Sequence, residues 1–132
     1  MEKLSILIVD DHKLIRDTLT LFLNRVPGLV VVANTGNGED GIALAKSLRP
    51  NIVIIDVNML PMSGFETAIQ IHKDVPGSKI IGISMDNIPS VARKLLAIGA
   101  MGYICKDCSL DEIVHGIREV GAGKKYISGT LK

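Results

Sequence analysis

Five short aliphatic runs, separated by segments with helical spacing, constrain the fold of this chain more than any other feature. The runs are rich in valine and isoleucine and nearly continuous, which is typical of strands buried on both faces of a sheet. They occupy residues 4–9, 29–33, 51–55, 79–83 and 102–105. After each run, apolar residues recur at intervals of three and four, as on the buried side of an amphipathic helix. Five successive β-α units predict an α/β fold with a doubly wound parallel sheet.

The bulk properties limit what such a domain can do. The chain has 132 residues, 47% of them hydrophobic, and a mean hydropathy of +0.34, which fits one globular domain. A net charge of +1 gives no electrostatic basis for direct binding of nucleic acid. We expect no membrane association, since no apolar run approaches the length of a bilayer span and the N-terminus lacks the pattern of a signal peptide. A cytoplasmic location is the default expectation. The predicted domain is residues 1–124, and residues 125–132, which lose periodicity, are an expected exit or linker stub.

Four of the predicted strands end on polar residues. Asp10 and Asp11 follow the first strand, Asp56 the third, Ser84 the fourth and Lys106 the fifth. The carboxyl ends of parallel strands lie along one edge of a sheet, where ligands bind. Three carboxylates, a hydroxyl and an ammonium at this edge therefore predict a metal-assisted phosphoryl site.

The residue types also predict a division of roles. A carboxylate such as Asp56 can attack phosphorus and form an acyl phosphate. Neighbouring Asp10 and Asp11 would repel it unless a divalent cation were bound, and oxygen ligands favour Mg²⁺, with Mn²⁺ as the substitute. The backbone carbonyl of Asn58 is a candidate third ligand. Lys106 supplies a positive charge for the phosphoryl group.

Some residues near this edge have simpler interpretations. An aspartate after a strand often caps the next helix, and Asp10 alone is open to that interpretation. His12 follows the acidic pair, but we assign it to the first helical turn rather than to a metal. Cys105 and Cys108 form a Cys-x-x-Cys sequence, for which redox chemistry is possible; zinc is less favoured because no second ligand pair has suitable spacing.

With these residues in view, the chain resembles the receiver domain of bacterial two-component response regulators over about residues 3–124. The positions that match the family's motifs are Asp10, Asp11, Asp56, Ser84, Tyr103 and Lys106. Three segments are similar to the NarL/FixJ (LuxR-like) subfamily: Asp10-Asp11-His12, Lys106-Asp107 and Gly123-Lys124-Lys125-Tyr126. The resemblance implies a flavodoxin-like (βα)5 domain with strand order 2-1-3-4-5.

The resemblance implies a signalling switch in a phosphorelay rather than an enzyme that turns over a substrate. A sensor histidine kinase, a phosphotransfer protein or a small donor would phosphorylate Asp56 with Mg²⁺, and the site would later hydrolyse the product. Ser84 and Tyr103 would then move, and Asn58 and Asp86 would influence the lifetime of the phosphoryl group. Homodimerisation on phosphorylation is possible. DNA binding and control of transcription would need a C-terminal helix-turn-helix domain, which these residues do not encode.

The chain departs from the family pattern at three positions. Leu60 stands where proline is expected, with Pro61 one position late, and Met85 follows Ser84 where a small residue is preferred. Asp107 follows the lysine in place of proline. These departures leave open a receiver that acts as an interaction module without phosphate.

Two other classes remain as alternatives. An aspartate-nucleophile phosphatase of the haloacid dehalogenase type would need an acid two residues after Asp56, where this chain has Asn58. A flavin carrier would need a phosphate-binding loop in place of Asp10-Asp11 and aromatic side chains to stack on the ring, and the chain has no tryptophan.

Overall fold

The computed structural model describes residues 3–85 and 88–128, in which strands and helices alternate along the chain. The strands are β1 Leu4–Val9, β2 Leu29–Thr35, β3 Ile52–Asp56, β4 Lys79–Ser84, β5 Gly102–Cys105 and β6 Tyr126–Ile127. The helices are α1 Lys13–Leu23, α2 Gly38–Leu48, α3 Gly64–Asp74, α4 Pro89–Ala97 and α5 Leu110–Gly121. The five predicted β-α units are therefore confirmed.

The sheet is parallel, with strand order β2-β1-β3-β4-β5-β6. The first five strands have the predicted order, and the two-residue strand β6 extends the sheet beyond the five strands that were expected. Tyr126 pairs with Gly102 and Ile127 with Tyr103. This pair lies in the segment that the sequence analysis assigned to the exit of the domain. The boundary after residue 124 itself stays a prediction.

The sheet divides the core into two layers because successive side chains of a strand point to opposite faces. On one face, Leu7 and Val9 of β1 belong to a buried cluster with residues of α2, α3 and α4. On the other face, Ile6 and Ile8 belong to a cluster with residues of α1 and α5. Continuous aliphatic strands are needed because both faces are covered, as the sequence pattern predicts.

Strand register brings the polar strand ends together. Val9, the residue before Asp10, is paired with Ile55, the residue before Asp56. One strand further along, Asp56 is paired with Ile83, which precedes Ser84, and Ser84 is paired with Cys105. Since the strands are parallel, all of these ends lie on one edge of the sheet.

The helices that follow these strand ends begin in ways that keep the edge compact. Ser109 caps α5, where its Oγ accepts a hydrogen bond from the Glu112 N–H at 3.1 Å. At the start of α3, Gly64 lies so close to β3 that a Cβ atom there would overlap the backbone of Asp56 and Val57. Among the described residues, no helix is long and apolar enough to cross a membrane.

Candidate functional site

Lys106 lies between two buried carboxylates at the carboxyl edge of the sheet. Its Nζ is 3.2 Å from Asp10 Oδ2 and 3.1 Å from Asp56 Oδ2. Both aspartates are fully buried, and the lysine side chain is 2% exposed. Desolvation strengthens the attraction between these charges but also makes each charge costly to leave unpaired. The lysine therefore supplies the positive charge that makes two buried carboxylates possible here.

The inner oxygens of the same two carboxylates are incompletely satisfied. Oδ2 of Asp10 and Oδ2 of Asp56 are buried and, beyond the ion pair with Lys106, have no hydrogen-bond partner within the described ranges. Oδ1 of each is bonded locally, to the N–H of His12 at 2.8 Å and to that of Asn58 at 3.0 Å. Buried polar atoms without a partner commonly mark a place for an ion or water.

Asp11 adds a third carboxylate on the more open side of the site. Burial raises the pKa of its carboxyl group, and the nearby Asp56 raises it further through a hydrogen bond and charge repulsion. The side chain is 35% exposed, so solvent or an ion can reach it. Asp11 is therefore harder to ionise than an ordinary aspartate, and the mutual repulsion expected of three adjacent carboxylates contributes to this.

The position of His12 differs from the sequence prediction. Helix α1 begins at Lys13, and His12 is the N-cap residue with an extended backbone rather than a member of the first turn. Its Nδ1 lies 3.0 Å from Asp10 Oδ1, 3.2 Å from Asp11 Oδ1 and 3.5 Å from Asp56 Oδ2. An N-cap side chain can turn towards the edge of the sheet. In the sequence, the only indication of this contact is that His12 directly follows the acidic pair.

A hydrogen bond joins the third and fourth strand ends. The side-chain amide of Asn58 donates to Ser84 Oγ at 3.1 Å. Since the Asn58 N–H also bonds Asp56, this residue links the hydroxyl to the carboxylate. Ser84 is predicted from the sequence to lie at the site, whereas its contact with Asn58 is not. The proposed role of the Asn58 carbonyl as a metal ligand stays a prediction, and Asp86 lies outside the described residues.

Tyr103 is the largest of the fully buried side chains. It belongs to the core cluster that covers the α2–α4 face of the sheet, together with Ala92 and Leu95 of α4. The aromatic ring is therefore already inside the core, next to the helix that follows the Ser84 strand. The inward rotation that the family resemblance implied for it stays a prediction.

The two apolar departures from the family pattern both lie at the surface. The side chains of Leu60 and Met85 are 77% and 57% exposed, and the peptide bond between Leu60 and Pro61 is cis. Neither side chain is buried with Asp10 and Asp56.

The donor atoms fit a small, hard cation. Carboxyl oxygens of Asp10, Asp11 and Asp56 lie within 4.8 Å of one another and of a His12 ring nitrogen. Oxygen donors with an excess of negative charge are those that Mg²⁺ and Mn²⁺ prefer. The unsatisfied inner oxygens are consistent with this fit.

Comparison with known proteins agrees with this architecture. A family model described as the response regulator receiver domain matches residues 6–118. The response regulator GacA from Pseudomonas aeruginosa is 36% identical over 125 residues, which cover 95% of this chain and 58% of that protein. The nitrate/nitrite response regulator protein NarL from Escherichia coli is 32% identical over 130 residues, or 98% of this chain and 60% of that protein.

A solved structure gives the same result for the fold. The two-component response regulator of the LuxR family from Aurantimonas sp. has a TM-score of 0.94 at 27% identity, with 98% of this chain and 93% of that chain covered. The chain spans about three fifths of the length of the two curated relatives it matches.

Proposed function

Since this chain belongs to the response regulator receiver family, we propose that it is a signalling switch operated by phosphorylation of Asp56. The observation that carries the proposal is the Asp56 carboxylate. It is fully buried, and its Oδ2 is paired with Lys106 Nζ at 3.1 Å but has no other hydrogen-bond partner in the described part of the chain. A carboxylate held this way can accept a phosphoryl group whose charge the lysine then balances.

In the proposed transfer, Asp56 Oδ2 attacks phosphorus and forms an acyl phosphate. The bond that breaks joins phosphorus to the imidazole nitrogen of a phosphohistidine, or to the carboxylate oxygen of acetyl phosphate, and its electrons leave with that atom. Bound Mg²⁺ would neutralise charge and orient the phosphoryl oxygens, with Asp10, Asp11, Asp56 and the Asn58 carbonyl as ligands. Lys106 would stay paired with the modified Asp56 through a phosphoryl oxygen.

The conformational response would begin at Ser84. Its hydroxyl accepts a hydrogen bond from Asn58 and would donate one to a phosphoryl oxygen on Asp56. The Tyr103 ring in the adjacent core and the α4–β5–α5 surface would follow, because the phosphoryl group binds one arrangement of these groups better than another. Asn58 and Asp86 would set the access of water to phosphorus and hence the lifetime of the signal.

The partners follow from the same proposal. A sensor histidine kinase or phosphotransfer protein would supply the phosphoryl group, which places the switch in the cytoplasm. Control of transcription would be exerted through a DNA-binding domain beyond these residues. A LuxR-family relative from Staphylococcus aureus is described as a DNA-binding response regulator. Phosphorylation would change self-association through the responding surface. Hydrolysis of the acyl phosphate by water at the same site would regenerate the Asp56 carboxylate, release inorganic phosphate and reset the switch. The output of the cycle would be the conformational state of the protein.

The direct test is intact-mass spectrometry after incubation with acetyl phosphate. We expect the protein to gain one phosphoryl group when Mg²⁺ is present and none when EDTA replaces it. Asp56→Ala should remain unmodified. Asp17→Ala is the matched control, because Asp17 is an exposed aspartate on α1 that pairs with Lys13.

Two results would contradict the proposal. Equal labelling of Asp56→Ala would mean that another residue accepts the phosphoryl group. An unmodified wild-type protein, with acetyl phosphate and with a phosphohistidine donor, would favour an interaction module that works without phosphate.

A further inference from the structure

Three potential metal ligands converge in the loop that joins β5 to α5, outside the acidic site. The Sγ atoms of Cys105 and Cys108 and a carboxylate oxygen of Asp107 lie within 4.8 Å of one another. The loop is closed by a hydrogen bond from the Cys108 N–H to the Cys105 carbonyl at 3.2 Å. Both cysteines are in the thiol form.

We propose that Cys105, Asp107 and Cys108 bind a thiophilic divalent cation of the zinc class, with water in the fourth position. Two thiolates select zinc-like ions over Mg²⁺, which prefers oxygen donors only. The site was disfavoured from sequence because no second ligand pair is spaced for zinc. The loop itself supplies the third ligand.

The three proposed ligands differ in their exposure to solvent. Cys105 is buried, and its Sγ lies 3.6 Å from the Oγ of Ser128, the residue that follows β6. Cys108 is half-buried and Asp107 is exposed, so an ion can approach from the Asp107 side. A three-ligand site with one open side matches the coordination proposed.

Metal binding in this loop would be coupled to proton release. Each thiol would lose its proton to solvent as the metal binds, and the dication would balance the negative charges of the two thiolates and of Asp107.

Glu112 provides a second layer around the site. Its carboxylate acts electrostatically on the Cys108 thiol and accepts a hydrogen bond from the Tyr126 hydroxyl at 3.0 Å. Outer contacts of this kind hold a ligand in the orientation that the metal requires. Glu112 is therefore a positioning residue for Cys108.

The test uses Co²⁺ as a spectroscopic probe on the full chain, with a phosphine reductant and excess Mg²⁺ to fill the acidic site. We expect a sulfur-to-cobalt charge-transfer absorption that saturates at one equivalent per chain and is abolished by one equivalent of Zn²⁺. Absence of this absorption would overturn the proposal.

Variants assign the ligands. Cys105→Ser and Cys108→Ser should each greatly reduce the absorption, and Asp107→Asn should weaken Co²⁺ binding by at least about tenfold. Asp11→Asn, which alters only the acidic site, should leave the absorption unchanged. Persistence of the full absorption in correctly folded Cys108→Ser would overturn the proposal. Because Asp56→Ala should retain the absorption, this result is independent of whether Asp56 is phosphorylated.

Discussion

At the scale of single residues, Lys106 and His12 each bring a nitrogen atom close to the carboxylates of the buried aspartates, and these two nitrogens also lie close to each other. Lys106 Nζ lies 3.0 Å from His12 Nδ1, so the imidazole can accept a hydrogen bond from the lysine in its neutral form. The lysine is enclosed, whereas the histidine side chain is 56% exposed. The imidazole can therefore move away from the carboxylates without disturbing the core, and the lysine cannot.

Replacement of Lys106 by methionine should destabilise the metal-free protein. The change keeps the length of the side chain but leaves Asp10 and Asp56 buried without their partner, which typically costs about 3–5 kcal/mol. Urea unfolding in EDTA would measure the loss. The combined variant Lys106→Met/Asp56→Asn should recover a large part of it, because one of the unpaired charges is then gone. An unchanged unfolding midpoint in Lys106→Met would contradict this account of the ion pair.

Asp11→Asn should stabilise the metal-free protein, and more so as the pH rises. The pKa of Asp11 is raised above its ordinary value of 3.8, so its ionisation is harder in the folded state. Its contribution to stability is complete below about pH 4 and is lost as the pH increases through the raised pKa. The difference in melting temperature between Asp11→Asn and the wild type, measured in EDTA, should grow from pH 4 to pH 7.

Added Mg²⁺ supplies the control for that experiment. It should raise the melting temperature of the wild type at pH 7 and do so much less for Asp11→Asn. If the difference in melting temperature between Asp11→Asn and the wild type shrank as the pH rose, the pKa of Asp11 would be lowered in the folded protein rather than raised.

At the scale of secondary structure, the site depends on how closely α3 approaches the end of β3. Gly64 permits this approach because a side chain there would overlap the backbone of Asp56 and Val57. Ser63 then caps the helix by accepting a hydrogen bond from the Glu66 N–H at 3.1 Å. The segment between β3 and α3 therefore fixes Asp56 in two ways. Gly64 packs against its backbone, and the Asn58 N–H donates a hydrogen bond to its carboxylate.

Gly64→Ala should push α3 away from β3 and displace Asp56. We expect a loss of roughly 1–3 kcal/mol in unfolding free energy and slower phosphorylation by acetyl phosphate. Gly77→Ala is the matched control, since nothing lies within 4 Å of a Cβ atom there and its φ is not positive. Equal effects of the two substitutions on stability and labelling would mean that the close approach at Gly64 is unimportant.

At the scale of the whole molecule, the sheet separates two cores that must fold together. Ile71 of α3 lies in the core on one face, and Ile117 of α5 lies in the core on the other. Both side chains are fully buried. Each core alone would leave one face of β1 and β3 exposed, so neither is expected to persist without the other.

Ile71→Ala and Ile117→Ala should each cost about 2–5 kcal/mol. The two sites share no partner across the sheet, so the double variant should lose the sum of the two values to within about 0.5 kcal/mol. Chemical unfolding followed by circular dichroism and by tyrosine fluorescence should give one coincident transition. Separate transitions for the two probes would indicate that the cores unfold independently.

Much of this architecture could be predicted because the strands are continuous aliphatic runs and each site strand ends on a polar residue. Burial on both faces fixes such runs as central strands, and parallel pairing then brings Asp10, Asp56 and Ser84 to one edge. Strand β6 could not be predicted, since two residues carry no periodicity. The contacts of His12 and Asn58 depend on side-chain rotamers and on where a helix begins, which residue patterns specify poorly.

Strand β6 also anchors the chain that leads to Ser128 on the edge of the sheet. The Ser128 N–H donates to the Tyr103 carbonyl at 2.9 Å, and the Tyr126 N–H donates to the Met101 carbonyl at 3.0 Å. Tension applied to the chain after Ser128 is therefore carried by the strand that contains Tyr103 and precedes Lys106. Because β6 is parallel to β5, a pull on the chain after Ser128 would shear β6 along β5 from the carboxyl edge of the sheet. Force and phosphorylation would therefore act on β5 at the same edge.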